Sequence, residues 1–117
     1  MTKYRRSDEI MMEFLVHMEV ARIEGGDERE KQLREQEAAR SRELAKEGIL
    51  LRLWRVPGRR ENWGIWSADD ADRLHDALSS LPLFRYLTIT VHPLASHPND
   101  PIRLDRALEV SISTKLS

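Results

Sequence analysis

A glutamate stands on a helix stripe where an apolar residue would be expected. In the stretch LREQEAARSREL, residues 33–44, the composition is helical, and Leu33 and Leu44 share one face at about 100° per residue. Glu37 falls about 40° to one side of Leu33 on that face, and Arg40 about 20° to the other. The placement admits two readings. Glu37 pairs with Arg40 or Ser41 at helical spacing and stays at the margin of the stripe, or it faces a pocket between the helix and a sheet. In such a pocket desolvation raises a carboxyl pKa, and a nearby arginine lowers it again. A carboxylate raised towards the working pH is suited to general-base chemistry.

Strand residues can complete that pocket. RVPGRREN, residues 55–62, spans a hairpin turn, and a four-residue turn pairs Arg55 with Asn62 on the face that carries Leu53 and Gly64. A strand arginine flanked by core residues binds a carboxylate bidentately or joins an ion pair between subunits. His17 stands on a mostly polar strand face, as a functional group or as an ordinary packed histidine. His75 flanks the apolar stripe of a second helix and reads as structural. The histidines at 17, 75, 92 and 97 form no helical i, i+4 pair and no His-x-His, so no metal site is expected. There is no glycine-rich phosphate loop and no serine in a nucleophile-elbow pattern. Cysteine is absent, which removes disulfides, thiolate nucleophiles and thiolate metal ligands together.

The elements that must hold these residues follow from periodicity. Residues 12–20, MEFLVHMEV, put Phe14, Val16, Met18 and Val20 on one side and Leu15, His17 and Glu19 on the other, as a strand does. IEGGDE breaks the pattern, with Asp27 as the expected N-cap of a long helix that runs to about Lys46 and stops at Gly48. Residues 49–67 read as a hairpin. Its first strand places Leu51 and Leu53 on one face and Leu50, Trp54 and Val56 on the other. A second helix is expected from a cap at Ser67, with Ala71, Leu74, Leu78 and Leu81 in line and Pro82 ending it. YLTITVHPL supplies a fourth strand. The order βαββαβ predicts an α+β, ferredoxin-like sandwich with an antiparallel four-stranded sheet.

Two helices cover one face of such a sheet, so the other face is expected to pair with a second subunit. Three segments result: a flexible N-terminal extension over 1–11, the α+β domain over 12–99, and a C-terminal arm over 100–117. In the arm Leu108, Val110 and Ile112 alternate, as in a strand added to a neighbour. At 117 residues the chain fits one domain, and its net charge of −1 gives no support for nucleic-acid binding. No run of about 18 apolar residues exists to span a membrane, and no signal-peptide pattern opens the chain, so a cytoplasmic location is expected.

Two stretches resemble the muconolactone delta-isomerase family. LHDALSSLPLFRYLTITV is similar through its Leu-His-Asp, its Leu-Pro-Leu-Phe and the Tyr two residues on. EGILLRLWRVPGRRENW is similar through its Glu-Gly, its Leu-Trp-Arg, the following Gly and the Asn before an aromatic. MEFLVHMEV matches the opening strand in pattern, and the similarity runs over about residues 12–99. The resemblance implies a ferredoxin-like fold and a homo-oligomer, at least a dimer and often a decamer built from dimers. It implies an enzyme without cofactor or metal that converts muconolactone to 3-oxoadipate enol-lactone in the β-ketoadipate route of aromatic catabolism.

By position the resemblance assigns the catalytic base to Glu37, and it aligns Arg55 and Asn62 with a family arginine and asparagine. His17 stands where the family has a lysine, and Arg40 where it has an apolar residue. On this reading His17 or Asn62 donates to the lactone carbonyl, Arg55 or Arg52 takes the substrate carboxylate, and Trp54, Trp63 and Tyr86 wall the pocket. The departures at 17 and 40 motivate an alternative, an isomerase or dehalogenase acting on a substituted muconolactone or another lactone. A non-catalytic α+β oligomer that binds a small ligand would instead pair Glu37 with Arg40 and leave no open pocket.

Overall fold

A computed structural model describes residues 11–102 of the chain. The expected N-terminal extension and C-terminal arm fall almost wholly outside these residues. Four strands and two helices follow in the order β1 (Met12–Val20), α1 (Gly26–Lys46), β2 (Leu50–Arg55), β3 (Glu61–Ala68), α2 (Ala71–Ser79) and β4 (Leu87–Leu94), with a 3₁₀ turn at Phe84–Tyr86 before the last strand. The sheet order is β2-β3-β1-β4 and every pairing is antiparallel, the ferredoxin-like arrangement.

Alternation decides which side of the sheet carries the core. Phe14, Val16 and Met18 of β1 are buried on one face, opposite Trp66, Gly64 and Asn62 of β3. On the other side of β1 the same register puts Pro93, Val91 and Ile89 of β4. Leu74, Ala77 and Leu78 of α2 and Leu44 of α1 close over this face. The opposite face carries Leu15, His17 and Glu19 beside Ile65, Trp63 and Glu61, and no helix among the described residues covers it.

Three local details depart from the expectations. Asp27, the expected N-cap, lies inside the helix, which is capped two residues earlier at Gly25. Gly25 and Gly26 hold φ of 101° and 88°, a left-handed turn that glycine adopts without strain, and Asp27 contributes through its charge in the first turn. The cap of α2 is Asp70, whose Oδ1 accepts from the Arg73 N–H at 2.8 Å, while Ser67 is a buried residue of β3. Register shifts between Leu50 and Arg52, a bulge at Leu51. The bulge turns Leu50 to the helix side with Leu53, and leaves Trp54 on the open side.

Candidate active site

Helix α1 is 21 residues long and buries only Leu44. Its middle presents Arg34, Glu37 and Ser41 on one face, at spacings of three and four residues. Short polar groups there do not fill the space down to the sheet. A cavity of about 130 Å³ remains, partly open to solvent. Arg34, Glu37 and Ser41 form its roof, Met18, Leu53, Asn62 and Trp66 its sheet wall, and Leu81, Leu83 and Leu87 its end towards α2 and β4. The volume is close to that of an apolar cavity known to admit benzene, about 150 Å³.

Glu37 is half-buried at this cavity. Its Oε1 accepts from the Leu83 backbone N–H at 3.0 Å, which ties the helix to the segment after α2. Desolvation raises the carboxyl above its ordinary value of 4.5, and the Leu83 bond and the Arg34 charge, both lowering, offset only part of that. Arg40, the other polar residue of the stripe, turns away. It donates to Ser80 Oγ at 2.9 Å and to Glu43 Oε1 at 3.4 Å. The arrangement with Glu37 paired to Arg40 and no open pocket is therefore not the one found.

Two polar atoms in the sheet wall are buried without a hydrogen-bond partner among the described residues: Asn62 Oδ1 and Trp66 Nε1. Leaving such a group unsatisfied costs about 1–3 kcal/mol, so each requires an explanation. Their neighbour Gly64 leaves little room for a side chain, since a Cβ there would lie 3.0 Å from the Arg52 carbonyl oxygen and 3.1 Å from Trp66 Nε1.

The structure brings together some of the expected site residues and separates others. Glu37 and Asn62 meet at the cavity. Arg55 pairs with Asn62 in register, as the four-residue turn requires, and shares its sheet face, but it is exposed and does not line the cavity. Tyr86 is partly buried in the 3₁₀ turn, outside the cavity wall, with the Arg85 guanidinium 5.2 Å from its ring centroid. His17, Arg52 and Trp54 face the other way. Their strand positions alternate with the buried set, so the sheet itself lies between them and Glu37. His17 Nε2 lies 2.8 Å from Glu61 Oε1 and its ring 4.5 Å from that of Trp63, and the Arg52 guanidinium covers Trp54 at 4.6 Å. Neither departure from the family pattern, His17 or Arg40, lines the cavity.

Arg34 and Trp66 were not among the expected site residues. Spacing puts Arg34 one turn before Glu37, and alternation puts Trp66 on one strand face with Asn62 and Gly64, but neither pattern marks them as site residues. The open face also gathers His17, Glu19 and Glu61, with one ligand atom of each within 4.8 Å of the others. Cross-strand register makes this group, which no spacing along the chain reveals. Glu61 is already engaged there by His17 and by Arg59 at 3.2 Å, and these bonds hold its carboxyl below the ordinary value.

The fold and this geometry define a class: an α+β sandwich with a half-buried carboxylate at a small cavity over its sheet. The sequence profile of the muconolactone delta-isomerase family matches residues 12–100. Muconolactone Delta-isomerase 2 of Acinetobacter lwoffii is 40% identical over 70 residues, which are 60% of this chain and 73% of that protein. Muconolactone Delta-isomerase of Cupriavidus pinatubonensis is 42% identical over 67 residues, 57% of this chain and 73% of that one. A crystal structure of muconolactone isomerase superposes with a TM-score of 0.70 at 32% identity, covering 76% of this chain and 94% of that one. The chain belongs to the muconolactone delta-isomerase family.

Proposed function

We propose that this protein is an enzyme that isomerises muconolactone to 3-oxoadipate enol-lactone, with Glu37 as the single base. The observation that carries this reading is the half-buried Glu37 carboxylate over a cavity of ring-molecule size. The substrate is a butenolide with a carboxymethyl arm. Its γ C–H is acidic because loss of that proton gives a delocalised 2-oxyfuran-like dienolate. Glu37 removes the proton from the γ carbon, the bonding pair moves through the ring to the carbonyl oxygen, and the protonated carboxyl returns the proton at the α carbon. The double bond has moved by one position, and substrate and product are isomers, so the reaction consumes no oxidant or reductant.

Burial supports the base in two ways. It raises Glu37, which makes the carboxylate a stronger proton acceptor, and it limits the water that can compete for the proton in transit. The Leu83 N–H holds Oε1, so the proton transfer falls to Oε2. Arg34, one turn away and partly exposed, is the partner for the substrate carboxylate, and Arg55 beside Asn62 is a second cation at the rim. His17, Arg52 and Trp54 belong to a different task, the contact of the open sheet face with a second copy of the chain.

Glu37→Gln tests the assignment. Gln keeps an oxygen for the Leu83 N–H and loses only the base. Turnover of muconolactone is expected to fall by about 10²–10⁴-fold. A Glu37→Gln protein that isomerises at the parent rate overturns the assignment.

A further inference from the structure

Trp66 is 2% exposed, yet its Nε1–H has no partner among the described residues. A buried indole N–H ordinarily finds one. Its Nε1 lies over Gly64, in space that a side chain there would take: a Cβ would lie 3.1 Å from the nitrogen and 3.2 Å from Leu53 Cδ1. Leu53 and Trp66 both line the cavity, and so does Asn62, whose Oδ1 is likewise buried and unpartnered. Asn62, Gly64 and Trp66 occupy alternate positions of β3 and therefore one face, the face that Glu37 overlooks. The apolar sheet wall thus holds two idle polar groups in its middle, opposite the one carboxylate of the roof.

We infer that Trp66 is a catalytic residue: its Nε1–H donates to the lactone carbonyl oxygen and holds the charge that develops there, with the Asn62 carboxamide beside it fixing the ring. The inference rests on the reading of Glu37 as the base. As Glu37 takes the γ proton, the electron pair ends on the carbonyl oxygen. A fixed donor at that oxygen strengthens as the charge grows, and the indole keeps its proton throughout. Indole suits the place because it is a donor only and does not compete for the proton that Glu37 carries. Asn62 offers either its oxygen or, turned over, its NH₂, so it adapts to the ring once Trp66 has set the carbonyl.

The chain has three tryptophans, and the other two, Trp54 and Trp63, face the open side of the sheet. Their indole signals serve as internal controls. The probe is the saturated lactone 4-carboxymethyl-4-butanolide, which keeps the carbonyl and the carboxylate and has no double bond to move. In ¹⁵N-labelled protein, with signals assigned from Trp54→Phe and Trp63→Phe, the probe is expected to shift the Trp66 Nε1–H resonance downfield and to leave the other two in place. Trp66→Phe is expected to lower kcat for muconolactone by about 10²–10³-fold, with a much smaller change in KM. A probe that perturbs the Leu83 amide and leaves the Trp66 indole unmoved overturns the inference while Glu37 stands. So does a folded Trp66→Phe protein with full kcat when Glu37→Gln is inactive. Full activity in Glu37→Gln overturns the reading beneath it, whatever Trp66 does.

Discussion

Opposed influences act on the Glu37 carboxyl, and their balance sets its chemistry. Desolvation raises its pKa, while the Leu83 N–H and the Arg34 guanidinium lower it, and the net direction is upward from 4.5. A base must be ionised to act, so activity is lost as pH falls through the raised pKa. The acid limb of kcat/KM is therefore expected above pH 4.5, and a pH–rate profile measures it. Removing the Arg34 charge takes away one lowering influence. Arg34→Leu is expected to move the limb further up and to raise KM, since the proposed partner of the substrate carboxylate is lost. An unmoved limb contradicts this account of Arg34. At this scale the sequence exposed Glu37, because a carboxylate on a leucine stripe breaks a pattern. It did not expose the cavity's own cation or its unpartnered indole. Arg34 is one of many charged residues on a charged helix, and Trp66 reads as core because it is core. What sets Trp66 apart is a missing hydrogen bond, which has no signature in a string of residues.

Helix α1 illustrates how an element can be stable and still leave room. Its outer surface is almost wholly charged and it buries only Leu44, at its C-terminal end, where the chain turns through Gly48 into β2. The helix is held there and by the Leu83–Glu37 and Arg40–Ser80 bonds, and the cavity separates its Arg34–Ser41 face from the sheet. Leu44→Ala is expected to cost about 2–5 kcal/mol in urea unfolding, as for other fully buried leucines, whereas Leu33→Ala, at a half-buried position, costs distinctly less. Equal losses would mean that the stripe packs evenly and that the cavity is absent. The order and type of the elements were legible from alternation and helical spacing alone. Faces were legible in β1, where alternation is unbroken. They were not legible in β2, where the bulge at Leu51 brings Leu50 and Leu53 to one face although they are an odd number of residues apart. The reading of Leu50 with Trp54 failed for that reason. Arg52 and His17 failed differently: each was drawn towards the Glu37 site by its chemistry, while its own alternation already placed it across the sheet.

The whole molecule has one face of its sheet under helices and one without. The bare face mixes apolar Leu15, Ile65 and Trp63 with His17 and Glu61, and Trp54 there is 44% exposed. Pairing of this face with a second copy remains the proposal that best accounts for so much apolar surface. Ile65 lies at the centre of the face, beside Leu15. Ile65→Glu would bury an unpaired charge in such a contact and is expected to shift the sedimentation coefficient from an oligomer towards the monomer. The lone subunit would tolerate the change, because there the face meets water. A parent protein that sediments as a monomer contradicts the pairing. No helix among the described residues is long and apolar enough to cross a membrane. At this scale the unpaired face was legible from counting helices against sheet faces, and the number of subunits was not, because closure depends on angles between copies that a single chain does not encode locally.

On the proposed mechanism one half-buried carboxylate, at the cavity between α1 and the sheet, carries a proton from the γ to the α carbon of muconolactone. Proton NMR of the purified protein with muconolactone in D₂O tests it most directly. Rapid appearance of 3-oxoadipate enol-lactone is expected, with a share of its α-methylene groups free of deuterium, because Glu37 returns the proton it lifted before solvent exchanges it. A folded protein that leaves muconolactone unchanged, or a product that carries one deuterium at every α carbon from the first turnovers, would contradict it.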